Sequence, residues 1–109
     1  MHVDDLADAS VFLMSLPDEK FSSLLTPGYS FPLINIGSGE DRTIRDLADV
    51  VARGVGFDGE ISWDITKPDG MPRKLLDASV LSALGWSPKI DLETGIKTTY
   101  EWYLNQTKP

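Results

Sequence analysis

Cysteine is absent from all 109 residues, which excludes disulfide staples, thiol nucleophiles and cysteine zinc sites. Histidine is nearly absent too. His2 has no second imidazole with which to share a metal, and its place at the start of the chain gives it a structural or disordered role. Basic residues are few, 10 Lys and Arg against 17 Asp and Glu, for a net charge of −7. A nucleic-acid partner needs a basic face, so none is expected. No apolar run is long enough for a membrane helix, and Met1 to Asp5 lacks the cationic and apolar blocks of a secretory signal. These absences lead to the expectation of an acidic, soluble, cytoplasmic protein.

What is present suits one globular domain over residues 1–109. The chain is 41% hydrophobic and 25% charged, and a domain this small buries roughly 60 to 70% of its unfolded surface. Residues 3–16 have helical spacing, with Leu6, Ala9, Leu13 and Leu16 on one face and Asp4 or Asp5 placed as a cap. A helix cap with so little before it reads as the start of a piece cut from a longer chain. Residues 17–32 hold three prolines, Gly28 and several serines, and read as a connecting loop. Residues 33–36 are a short apolar run before Gly37-Ser38-Gly39, as in a buried strand.

Thr43 opens the strongest helical pattern. Thr43 and Asp46 have capping-box spacing, Ile44, Leu47, Ala48, Val51 and Val55 form an apolar stripe, and Gly54 and Gly56 end it. Residues 60–65 alternate Ile61, Trp63 and Ile65 as a strand would. Strand, helix and strand make a βαβ unit, which predicts a parallel pair with a right-handed crossover. Asp77 is placed to cap a short helix carrying Val80, Leu81 and Leu84, which Gly85 ends, leaving Trp86 free to fold back. Asp91 caps a last helix with Leu92, Ile96, Tyr100 and Tyr103 or Leu104 inward. The predicted fold class is therefore a small α/β domain, α+β-like, with a short parallel strand pair and about four helices.

Several clusters invite a functional reading that simpler chemistry answers. Gly37-Ser38-Gly39 begins like a dinucleotide fingerprint, but Arg42 stands where the third glycine belongs, so a tight turn is the expected role. An anion at the start of the Thr43 helix would compete with Thr43 for the same amides. Asp4, Asp5 and Asp8 have the look of a metal cluster, yet acids at a helix start are stabilised by the dipole and are read as capping. Trp63, Trp86, Trp102, Tyr100 and Tyr103 offer faces for a base, but at strand or helix spacing they are read as core.

One stretch stands apart. Residues 66–75, TKPDGMPRKL, set Lys67, Arg73 and Lys74 against Asp69, for a local charge of +2, so the remainder of the chain carries −9. Proline and glycine make it a loop that presents its charges. The bland alternative is that the cations pair with Asp64, Asp69 and Asp77, nearby in sequence, in exposed pairs that contribute little. The functional one is a diphosphate: Arg supplies a fork, Lys a point charge, and Asp69 an acceptor for sugar hydroxyls or a base edge.

The segments His2-Val3-Asp4-Asp5-Leu6-Ala7-Asp8-Ala9, Ile34-Asn35-Ile36-Gly37-Ser38-Gly39 and Thr43-Ile44-Arg45-Asp46-Leu47-Ala48 recur in one enzyme family in this order. So do Lys67-Pro68-Asp69-Gly70-Met71-Pro72-Arg73-Lys74-Leu75-Leu76-Asp77 and Leu84-Gly85-Trp86. Over nearly its whole length the chain resembles the C-terminal part of GDP-L-fucose synthase, an extended short-chain dehydrogenase/reductase. Met71 departs from the family at a loop position where Thr is common. The resemblance implies the substrate-binding domain of an NADPH-dependent epimerase and reductase acting on GDP-4-keto-6-deoxy-mannose, without its Rossmann half. Asp69, Lys74 and Arg73 are its implied substrate contacts.

The resemblance also implies what is missing. The family's glycine-rich NADP loop and catalytic Ser and Tyr-x-x-x-Lys lie upstream, and Leu33, Leu104 and Thr107 stand four residues after the three tyrosines. No catalytic, cofactor or metal residue is therefore assigned here; NADP(H) belongs to the parent enzyme, a homodimer. The isolated chain is expected to bind a GDP-sugar weakly and not to turn it over. Two alternatives stay open, the C-terminal domain of another NAD(P)-dependent nucleotide-sugar epimerase or dehydratase, and a non-catalytic binding or interaction module.

Overall fold

The computed structural model of the chain describes residues 1–25 and 33–107. Five helices appear among them: α1 (Val3–Met14), α2 (Asp18–Leu24), α3 (Ile44–Val55), α4 (Ser79–Ala83) and α5 (Leu92–Gln106). The chain divides into two compact units. The first joins Met1–Gly39 to Leu76–Ile90, and the second joins Glu40–Leu75 to Asp91–Pro109.

In the first unit, α1 is capped by His2 and not by Asp4 or Asp5. The His2 imidazole Nδ1 accepts the Asp4 amide at 3.2 Å, and the two acids follow in the first turn, where the helix dipole favours them. Ala9, Leu81 and Trp86 are the buried centre, with Phe12, Leu13, Ile34 and Ile36 packed around them. Of the expected inward set on α1, Ala9 is buried and Leu6 is exposed. The predicted loop at 17–32 is corrected in part, because Asp18–Leu24 is helical. Pro17 stands at the N-cap, where a missing N–H costs nothing, and Asp18 and Glu19 fill the first turn. Residues 26–32 lie outside the described residues.

Asp77 starts α4 one position early. Its carboxylate accepts the Ser79 amide at 2.9 Å, and Ala78 is the N-cap. Gly85 adopts φ +96°, a conformation open to glycine, and this turns Trp86 back so that its amide reaches the Leu81 carbonyl at 3.2 Å. The indole is then buried, as its fold-back predicts.

The second unit rests on α3 packed against α5. The Thr43 hydroxyl accepts the Asp46 amide at 3.1 Å, so the cap forms as expected. Gly56 closes the helix at φ +70°. Gly54 lets the helices approach, since a Cβ there would lie 2.7 Å from Ile96 Cγ2. Val50 is the buried residue of α3, while Ile44, Leu47 and Val51 of the predicted stripe are exposed. On α5, Leu92, Ile96 and Tyr100 are half-buried, but Tyr103 and Leu104 face outward.

The strand pair is not formed. Residues 33–36 and 60–65 run without strand pairing, and no strand appears among the described residues. Alternation specifies a face, but a strand exists only where a neighbour supplies ladder hydrogen bonds. Ile65, at 93% exposure, shows that the alternating face is not covered. Asn35 meets the other chain segment through its side chain instead, donating to the Asp77 carbonyl at 3.2 Å.

Candidate functional site

The basic loop lies wholly in the second unit, between the 60–65 segment and Leu75. Asp64 folds its entrance: one carboxylate oxygen accepts the Thr66 hydroxyl at 2.6 Å and the Thr66 amide at 3.0 Å. The hydroxyl bond first, then the amide bond, holds the Asp64 carboxyl below the usual carboxylate range. Asp77 is held low in the same way by the side chain and amide of Ser79. Both acids are thus spent on turns. Neither forms an ion pair with a cation of the loop among the described residues.

Arg73 is paired from farther away. Its Nε donates to Asp41 Oδ2 at 2.8 Å across 32 residues of sequence. Lys67, Lys74 and Asp69 are exposed and make no ion pair or side-chain hydrogen bond among the described residues. One of the three cations is therefore paired with an acid the local sequence did not suggest, and Lys67, Lys74 and Asp69 remain unpaired among the described residues. Asp41 was not legible as a partner, because it sits between Glu40 and Arg42 and its spacing to Arg73 follows no local period.

The other candidates resolve differently. Asp5, expected as a cap, is 2% exposed, and its two carboxylate oxygens accept the Lys89 and Ile90 amides, each at 3.0 Å. Asp8 accepts the Trp86 indole N–H at 2.8 Å and the Lys89 ammonium at 3.1 Å, and these bonds, the indole first, lower its pKa. The acidic cluster pins the 86–90 segment. No group of three metal-ligating side chains gathers among the described residues. Trp86 is core, but Trp102 and Tyr103 are exposed, so the expectation of buried aromatics holds only in part. Arg45 covers the Trp63 ring at 5.2 Å. A cavity of about 390 Å³ lies beside them, lined by Arg45, Asp49, Arg53, Phe57, Ile61 and Trp63, and contains none of the predicted site residues.

No family profile matches the sequence. Individual relatives do. GDP-L-fucose synthase 1 of Arabidopsis thaliana is 52% identical over 104 residues, which are 95% of this chain and 29% of that protein. The chain belongs to the GDP-L-fucose synthase family. It corresponds to the C-terminal part, and spans less than a third of the length of the plant enzyme. Two solved structures from Campylobacter jejuni place its fold among GDP-sugar reductases. A GDP-6-OMe-4-keto-L-xylo-heptose reductase superposes with TM-score 0.83 and 41% identity, over 98% of this chain and 30% of that one. A GDP-mannoheptose C4 reductase with NADP bound superposes with TM-score 0.77 and 39% identity, over 95% and 30%. The family resemblance is thereby confirmed, and the chain superposes on about 30% of each of the two reductases.

Proposed function

We propose that residues 1–109 form one substrate-binding domain of a cytoplasmic GDP-L-fucose synthase-like epimerase and reductase, and that the 66–75 loop receives the GDP portion of the nucleotide-sugar. Lys74 and Asp69, unpaired among the described residues in a loop that also holds the tethered Arg73, are the observation that carries this reading. An ammonium with no internal acid keeps its charge for a diphosphate, and a carboxylate left unpaired in the same loop accepts from hydroxyls or a base edge. The GDP-sugar named for both Campylobacter relatives supports the ligand class. A heptose reductase or another nucleotide-sugar epimerase would share the loop and differ in the sugar it receives.

The residues present do not fit a dinucleotide. Arg42 replaces the third glycine of the fingerprint, and the Thr43 hydroxyl occupies an amide at the α3 N-terminus that a phosphate would use. We assign NADP(H) to the remainder of the parent enzyme, whose N-terminal portion also becomes the partner for the exposed Ile44, Leu47 and Val51 stripe. With one wall of the cleft, this chain alone would hold GDP at about millimolar strength, roughly 4 kcal/mol.

Lys74→Ala in the full-length enzyme tests the loop. The KM for the GDP-sugar should rise about tenfold with kcat little changed, as for loss of a contact made equally in ground and transition states. Wild-type KM and kcat in this variant would remove Lys74 from the site.

A further inference from the structure

Among the described residues Asp41 is the one acid that reaches a cation of the basic loop, and the way it does so sets it apart from a neutralising counter-ion. It takes the Nε hydrogen of Arg73 at 2.8 Å, and the terminal nitrogens of the guanidinium have no partner among the described residues. Those two nitrogens are the fork that meets a diphosphate bidentately. The pair is exposed, with the Arg73 side chain at 69% and Asp41 at 39%, so it contributes little to holding the fold. Its effect falls on the side chain itself. A free arginine loses several rotors when it grips a ligand, and one already fixed at Nε has lost part of that freedom beforehand.

We propose that Asp41 is a positioning residue for the nucleotide-sugar site, fixing the plane of the Arg73 guanidinium so that its fork is presented to the diphosphate. This rests on the reading of the 66–75 loop given above. It adds a residue that lies outside the loop and touches no ligand.

The sign of one measurement separates positioning from charge. If Asp41 acted only through its negative charge, its removal would make the loop more cationic and tighten an anion. If it positions Arg73, removal weakens the anion despite the gain in positive potential. GDP is titrated into the ¹⁵N-labelled chain while the amide signals of residues 66–75 and the Arg73 Nε–H signal are followed. Asp41→Ala should broaden or shift the Arg73 Nε–H signal in the free protein and raise the GDP dissociation constant about threefold to tenfold. Asp41→Asn keeps an acceptor for Nε and should stay within about twofold of wild type. Asp41→Ala combined with Arg73→Ala should bind no more weakly than Arg73→Ala alone. Should alanine disturb the turn, Asp41→Ser gives the same truncation in a polar form. Tighter GDP binding by Asp41→Ala, or additive losses in the double variant, would overturn the positioning role and leave the loop reading intact. Wild-type amide signals of residues 66–75 that do not move with GDP would overturn both.

Discussion

At the scale of single residues, four acidic side chains, Asp5, Asp64, Asp77 and Asp91, act as ligands of backbone amides. Asp5 is the strongest case: a buried carboxylate whose two oxygens each hold an amide of residues 89–90. Its removal leaves two amides without acceptors. Hydrogen bonds to a charged group contribute about 1.5 to 3 kcal/mol each, so Asp5→Ala should destabilise the chain by about 3 kcal/mol or more. Asp5→Asn keeps one acceptor and should cost about half as much. Thermal or urea unfolding of the two variants checks the order, and equal stability of Asp5→Ala and wild type would show that the amides find other partners. Asp64, Asp77 and Asp91 hold amides nearer the surface while Asp8 accepts from the Trp86 indole and the Lys89 ammonium, and the hydrogen bonds they accept lower the pKa of each.

At the scale of elements, the caps of α3 and α5 were legible, while those of α1 and α4 fell on His2 and Ala78 instead of the expected acids, and the buried faces were legible only in part. Thr43 and Asp91 start α3 and α5 where the sequence places them, because a cap depends on a side chain and an amide three positions on. Among the described residues only the Thr43 half of the capping box forms, in keeping with an Asp where Glu would reach. The stripe on α3 is a different kind of inference. Periodicity finds Ile44, Leu47 and Val51 on one side, but the side that α5 meets is the one bearing Val50 and Gly54. Gly54 is a glycine for its neighbour and not for its backbone angle. Gly54→Ala gains helix propensity of about 1 kcal/mol but drives a methyl into Ile96 Cγ2, so a net loss of about 1 to 2 kcal/mol is expected. Ile96→Ala should recover part of that loss in the double variant, measured by denaturant midpoints. A stabilised Gly54→Ala would mean that α5 yields at this point.

At the scale of the whole molecule, the chain spans less than a third of the length of its plant relative and exposes apolar side chains such as Ile44, Leu33 and Trp102. No helix among the described residues is long and apolar enough to cross a membrane. The sequence holds no Tyr-x-x-x-Lys and no dinucleotide fingerprint, so we expect no oxidation of NADPH when the chain alone is mixed with a GDP-4-keto-6-deoxy sugar. Loss of absorbance at the nicotinamide band above the enzyme-free blank would refute this.

The basic loop, the Thr43 and Asp91 caps and the family wording could be read from the residues in order, since each depends on chemistry within a few positions of itself. The partner of Arg73, the burial of Asp5 and the buried side of α3 could not, because each is decided by a segment 32 to 85 residues away or on another helix. The missing strand pair follows the same division. Alternating side chains prepare a segment for a sheet, and only a second backbone at hydrogen-bonding distance makes it one.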